Sequence, residues 1–375
     1  MPKLSHLSSS IFSVMSQLAQ THGAINLAQG FPDFPVDARL LAIIEKKIKE
    51  NVHQYTPMAG LPRLLENIAK VIQQRYLRTV DPHTELLITA GATQGVYTAI
   101  QTFIEKGDEV IILDPSYDSY EPSVLLANGQ PIRVSLTNDF NPNFEAIAQA
   151  ITDRTRMIVV NNPHNPTGKI WSKADLTAFE TLMNKHPQIL ILSDEVYEFI
   201  TFKASHLSFH LSKTLRDRCI IVSSFGKSLH VTGWKVGYLM APQPLMHEIK
   251  KVHQFLVFSV NSVAQQVIAD YLEIVDFDDI SKMYAAKKQL FEDLVKPTPF
   301  ELLACEGTYF QLLKYDKISS LADFDFAKEL TIKHGVAAIP ISGFYADGID
   351  HQILRFCFAK SDETLIKAGE RLSAL

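Results

Sequence analysis

The chain has 375 residues, 46% of them hydrophobic, and a formal net charge of −5. That length calls for roughly two or three domains at about 150 residues each, and the acidic balance offers no basic surface to nucleic acid or an anionic membrane. The three cysteines, Cys219, Cys305 and Cys357, form no CxxC pair, so buried reduced thiols in a cytoplasmic protein are expected.

Taken in order, Ile11, Met15 and Leu18 follow helical spacing, without the unbroken apolar stretch of a signal peptide. Residues 1–40 are too few to fold alone and are expected to pack on a smaller domain or a partner chain. From about residue 85 a strand-then-helix rhythm begins. Strands are expected at Glu85–Thr89, Glu109–Leu113, Pro131–Leu136, Arg156–Val160, Ile189–Ser193, Cys219–Ser223 and Gly237–Met240. Helices are expected at Thr93–Ile104 and Lys173–Asn184. The strand runs are rich in Ile, Val and Leu without alternation, as in strands buried on both faces. This predicts an α/β fold, with a mainly parallel seven-stranded sheet between helices over residues 41–260. After about residue 260 the texture changes. Helices at Val263–Tyr271, Ile280–Leu294 and Asp323–His334 mix with strands at Glu301–Leu303, Tyr309–Leu313, Val336–Ile339 and Gln352–Phe358. Residues 261–375 therefore read as a smaller α+β domain. No apolar run is long enough for a transmembrane helix.

Several strand ends carry chemistry, and strand ends of open α/β sheets are where ligands bind. Lys227 follows the run Cys219–Ser223 in a Ser/Gly bend, and a lysine amine there can condense with an aldehyde cofactor. Gly226-Lys227-Ser228 imitates the end of a P-loop, but Ile221 stands where the first glycine is required, so nucleoside triphosphate binding is not expected. Asp194 and Tyr197 emerge past Ile189–Ser193. Asp194 either caps a following helix or keeps a pyridine nitrogen protonated, with Tyr197 donating to a ring phenolate. Asn161 to Gly168 reads as a turn of Asn, Pro and Gly. Within it Pro166 restrains Asn165, whose amide could share that phenolate. Gly91, Ala92 and Thr93 join a strand to a helix N-terminus, which suits a phosphate. Ser224 and Lys235 are further phosphate candidates. Tyr117 could stack on a cofactor ring or simply be a buried aromatic at a turn. Arg355 interrupts an apolar strand, either as an edge arginine reaching outward or as a bidentate clamp on a carboxylate.

The ordered set resembles the class I, fold-type I, pyridoxal phosphate-dependent aminotransferases over essentially the whole chain. The matching runs are Asn26 to Phe34, Tyr55-Thr56-Pro57, Asp114 to Tyr117, Asn165 to Gly168, Ser193 to Tyr197, Ser223 to Lys227, Gly233 to Gly237 and Leu354-Arg355. The resemblance is strongest to the methionine and kynurenine aminotransferase branch. It implies a large domain binding pyridoxal 5'-phosphate, Lys227 as the cofactor-bearing lysine, Asp194 on the pyridine nitrogen and Arg355 on the substrate carboxylate. It also implies a homodimer with shared active sites: Tyr55 would reach the cofactor phosphate of the other subunit, and Phe258 its substrate pocket. Gly30 would lie near the substrate carboxylate. Lys235 stands where the aspartate branch has arginine. Phe31, Phe34, Tyr117 and Phe258 suggest an apolar pocket, and no second arginine is identifiable for an acidic side chain. The expected reaction moves the amino group of methionine or another apolar or aromatic amino acid to a 2-oxo acid. β-Elimination from cysteine conjugates, a kynurenine- or glutamine-type transaminase and a non-catalytic regulator are the alternatives; a regulator would need a spare basic segment, which is lacking.

Overall fold

The computed structural model describes residue 4, residues 10–203 and residues 205–375. Its strands are β1 (Ile25–Asn26), β2 (Leu86–Thr89), β3 (Glu109–Asp114), β4 (Gln130–Ser135), β5 (Thr155–Asn161), β6 (Leu190–Asp194), β7 (Cys219–Ser224), β8 (Gly237–Met240), β9 (Glu301–Leu302), β10 (Phe310–Lys314), β11 (Val336–Ala337), β12 (Ile339–Pro340) and β13 (Ile353–Cys357).

Seven of them form one sheet in the order β2-β8-β7-β6-β5-β3-β4. The pairs from β7 through β4 are parallel, and β8 runs antiparallel between β2 and β7. The sequence explains the sandwiching. Ile111 and Leu113 enter one buried core while Val110 and Ile112 enter the core on the opposite face. Ile191 and Leu192, and Ile221 and Ile220, divide in the same way. Successive side chains leave a strand on opposite faces, so a strand covered by helices on both sides must be apolar at every position.

A four-stranded antiparallel sheet, β12-β13-β10-β9, lies in the last 75 residues with its own core. The helix Ile11–Thr21 buries Met15 and Ala19 in that core, and β1 pairs in parallel with β11. The expected single strand at Val336–Ile339 is two strands: β11 pairs with β1, whereas β12 pairs with β13. The helix Ser262–Tyr271 places Val267 and Ile268 in the same core as β2 and β3 residues. The helix Pro62–Tyr76, which the sequence reading left unassigned, starts with proline in its first turn, where the missing N–H costs nothing.

Cys219, Cys305 and Cys357 are buried and unpaired. Among the described residues, no helix is long and apolar enough to cross a membrane.

Candidate active site

A cavity of about 400 Å³ opens where β5, β6 and β7 end and the N-terminal segment crosses over them. Its walls are built from residues far apart in sequence, at strand ends, helix starts and the loops that follow them.

Lys227 sits in the short helix Phe225–Ser228 directly after β7, and Ser224 caps that helix by accepting from the Gly226 amide at 3.2 Å. The Lys227 Nζ lies 3.4 Å from the Gly30 carbonyl, over the rings of Tyr197 and Tyr309 at 5.9 and 5.8 Å. Burial pushes its amine down to about 8.

Asp194 ends β6, 5% exposed. No helix follows it, so the capping alternative reduces to a turn: Asp194 Oδ1 accepts from the Val196 amide at 3.3 Å. Its Oδ2 accepts from the Tyr120 hydroxyl at 2.7 Å. Burial pushes the carboxyl up to about 6, against the pull of these two donors. It is therefore mostly ionised at neutral pH. Tyr197 is buried beside it, and burial raises its phenol, which stays protonated as a donor. Behind this wall the buried Glu198 accepts from the hydroxyls of Tyr76, Ser223 and Tyr238 at 2.5, 2.6 and 2.8 Å. One carboxylate thus joins the β6 turn to the ends of β7 and β8.

Gly91, Ala92 and Thr93 meet the cavity at the start of the helix Ala92–Phe103, with Gly91 at φ +79°. The first N–H groups of that helix have no intrahelical partner, and Ala92 and Thr93 line the cavity, where a helix start suits an anion. Lys235 stands opposite: a Cβ on Gly91 would meet its Nζ at 3.4 Å. A Cβ on Gly237 would lie 2.5 Å from the Ser223 carbonyl and 3.1 Å from the Ala92 amide. Only glycine allows β8 to pass this close to both edges of the cradle.

Arg355 is 1% exposed on β13, which is paired on both sides by β12 and β10. It is not an edge arginine. Nη1 donates to Asn165 Oδ1 at 2.7 Å and Nη2 to the Ala28 carbonyl at 2.9 Å, while Nε has no partner. The guanidinium lies 3.8 Å from the Phe310 ring centre and 5.0 Å from that of Phe12. Among the described residues no carboxylate lies within ion-pair distance of it, and burial pushes it down to about 10. A buried cation held by neutral acceptors is a ready receptor for an anion.

Gly30, Phe31 and Tyr117 also line the cavity. Phe34 does not: it packs edge-on against His230 and Tyr284. Tyr55 and Phe258 lie outside the cavity, 81% and 46% exposed, stacked edge-to-face on each other. His164 is held by Thr167 at 2.7 Å within its turn. The sequence reading missed Tyr120, Asn161, Tyr309 and Phe12. Asn161 is informative in retrospect: its amide donates to the Asp194 carbonyl and its Oδ1 accepts from the Asn165 amide, both at 2.8 Å. Tyr309 donates to the Gly30 carbonyl at 2.7 Å, the same carbonyl that Lys227 reaches.

The residues fit a phosphorylated pyridine aldehyde: an amine of lowered basicity, an acid for a ring nitrogen, a helix N-terminus for the phosphate, and a separate cation for a substrate carboxylate. The family model described as aminotransferase class I and II matches residues 22–372. The methionine aminotransferase of Escherichia coli K12 is 43% identical, covering 100% of this chain and 97% of its own length. A kynurenine–oxoglutarate transaminase of Dictyostelium discoideum is 33% identical over 98% of this chain and 94% of its own. The solved structure of YbdL from Escherichia coli, assigned a methionine aminotransferase function, has a TM-score of 0.97 at 42% identity, covering 100% of this chain and 99% of that one.

Proposed function

The chain belongs to the class I and II aminotransferases, which are pyridoxal phosphate enzymes, and on that premise we propose that it moves the amino group of methionine or another apolar or aromatic L-amino acid to a 2-oxo acid in two half-reactions. When bound, the cofactor supplies an aldehyde that takes up the amine and a pyridinium ring that draws electrons from the substrate α-carbon. The chain's own residues do the rest. Lys227 holds the cofactor through its amine, and Asp194, ionised above about pH 6, keeps the ring nitrogen protonated. Tyr197 donates to the ring's phenolate oxygen. The Asn165 Oδ1 is engaged by Arg355, which leaves its Nδ2 as the second donor. Ala92 and Thr93 amides, the Thr93 and Ser224 hydroxyls and Lys235 would receive the phosphate, and Tyr117 would pack on the ring.

Arg355 fixes the substrate α-carboxylate, beside Gly30 and Phe31. With the cofactor bound, the Lys227 amine would take the substrate α-proton as a base and, as an acid, would deliver it to the cofactor carbon that had carried the aldehyde. An amine near pH 8 has a usable neutral fraction for the first step and a proton for the second. Holding carboxylate and phosphate at two fixed points sets which α-bond is weakened, favouring deprotonation over decarboxylation.

Tyr55 and Phe258, exposed and stacked outside this cavity, support a homodimer in which each copy completes the other's site. The unpaired buried cysteines fit a reducing compartment, and we place the protein in the cytoplasm. We likewise divide the chain into an N-terminal segment to about residue 40, a large cofactor domain and a small α+β domain. We place the second boundary at about residue 260, with Val267 and Ile268 just beyond it packing on the large domain's core.

The observation that carries the reading is one cavity holding both the Lys227 amine and Arg355, which no described carboxylate pairs. A panel of amino acids at equal concentration tests the substrate class. Methionine and the aromatic amino acids are expected to rank first, and aspartate ranking first would overturn it.

A further inference from the structure

Among the described residues, five charged side chains face the cavity: Asp118, Asp194, Lys227, Lys235 and Arg355. In the reading above, on which this inference rests, four of them are committed. Asp194 faces a ring nitrogen, Lys235 a phosphate, Lys227 the reacting carbon and Arg355 the α-carboxylate. Asp118 alone remains to meet the tail of the substrate. We propose that Asp118 is a specificity-determining residue that excludes a second carboxylate, so that both donor and acceptor carry uncharged tails.

The Asp118 carboxylate lies at the cavity wall. Its Oδ2 accepts from the Ser10 hydroxyl at 2.5 Å, a neutral donor that stabilises the anion without cancelling it. Among the described residues, no Lys, Arg or His lies within ion-pair distance of it, although the Arg355 guanidinium feels its charge across the cavity. Ser10 immediately precedes the helix Ile11–Thr21, whose Phe12 lies over the Arg355 guanidinium at 5.0 Å and near the Tyr117 ring at 6.4 Å. Phe12, Tyr117 and Asp118 therefore make one wall beside the carboxylate clamp: apolar rings with a single negative charge. An uncharged thioether or aromatic tail packs against the rings. A tail carboxylate would meet Asp118 in a half-buried space, where like charges repel more strongly than in water.

A second copy would not relieve this repulsion through the segments that carry Tyr55 and Phe258. They read His53-Gln54-Tyr55-Thr56 and His253-Gln254-Phe255-Leu256-Val257-Phe258-Ser259, with no lysine or arginine; of their two histidines, burial lowers His253 to about 4.

The test compares two acceptors with one amino donor: 2-oxoglutarate, which has a tail carboxylate, and 2-oxohexanoate, which does not. The same enzymes are titrated with glutarate and pentanoate to give Kd without turnover. The parent enzyme is expected to prefer 2-oxohexanoate and to bind pentanoate more tightly. Asp118→Asn, which keeps the shape, and Asp118→Ser, which empties it, are each expected to raise the dicarboxylate-to-monocarboxylate ratio of kcat/KM by about tenfold or more. The Kd ratio should move with it. Ratios that stay within about twofold of the parent in both variants, or a parent that prefers 2-oxoglutarate, would overturn the assignment. Absence of transamination by the parent with both acceptors would instead overturn the reaction on which it rests.

Discussion

Replacing Arg355 by methionine should separate binding from folding. The guanidinium is desolvated, engages only two neutral acceptors and leaves Nε without a partner. Removing a buried charge that pairs with the ligand costs about 2–5 kcal/mol of binding. At about 1.4 kcal/mol per decade, that is a rise in amino-acid Kd of roughly 30-fold to several-thousand-fold. The fold should be nearly indifferent. Asn165 Oδ1 and the Ala28 carbonyl lose a donor, at about 1–3 kcal/mol each. Against this, a desolvated charge that had cost several kcal/mol is gone, and methionine keeps the packing against Phe310. The two effects should leave unfolding free energy within about 2 kcal/mol of the parent. Spectral titration of the holoenzyme with amino acids gives the first quantity and denaturant unfolding gives the second. An unchanged Kd would refute the clamp. A fall in stability beyond about 4 kcal/mol would show Arg355 to be a structural ion whose partner has been misjudged.

Because burial lowers the Lys227 amine to about 8, the rate at which cofactor-free protein takes up pyridoxal phosphate should climb with pH and level off above about 8, as the neutral amine accumulates; a midpoint near the ordinary lysine value would contradict the burial argument. Gly237→Ala places a methyl group against the Ser223 carbonyl and the Ala92 amide, and it should weaken cofactor binding with about 1–3 kcal/mol of overpacking strain, read by dialysis and absorbance; unaltered retention would mean the cradle yields. Tyr55→Ala and Lys227→Ala should each be poorly active alone, yet a mixture allowed to exchange subunits should recover about a quarter of normal activity, since half the dimers hold one intact site; no recovery would place Tyr55 outside a shared site.

The sheet was legible because its strands are short apolar runs with one solution: covered on both faces, they cannot alternate. The segment Val336 to Ile339 was not, because nothing local marks the switch at Ala338 from pairing with β1 to pairing with β13. The reacting residues were legible where a strand end, a bend and an ionisable group coincide, as at Asp194 and Lys227. Tyr120, Asn161 and Tyr309 were not, since each acts on a partner: Asp194, Asn165 and the Gly30 carbonyl. A hydroxyl or amide in a helix start, a strand or a loop carries no sequence signal for the group it will orient. Tyr120 does follow Tyr117 at a three-residue spacing, and that spacing was the one available hint. The Arg355 alternatives could not be separated from sequence, because whether a strand lies at an edge is a property of the sheet. Phe34 sits in the same Gly/Phe/Pro-rich run as Gly30 and Phe31, but the chain turns between them and sends its ring to His230 and Tyr284.

Covalent attachment of the cofactor to one amine tests the account most directly. Holoenzyme reduced with borohydride, digested and mapped by mass spectrometry should carry a single pyridoxyl group, on the peptide containing Lys227. A pyridoxyl group found on Lys235 or any other lysine, or none at all, would contradict it.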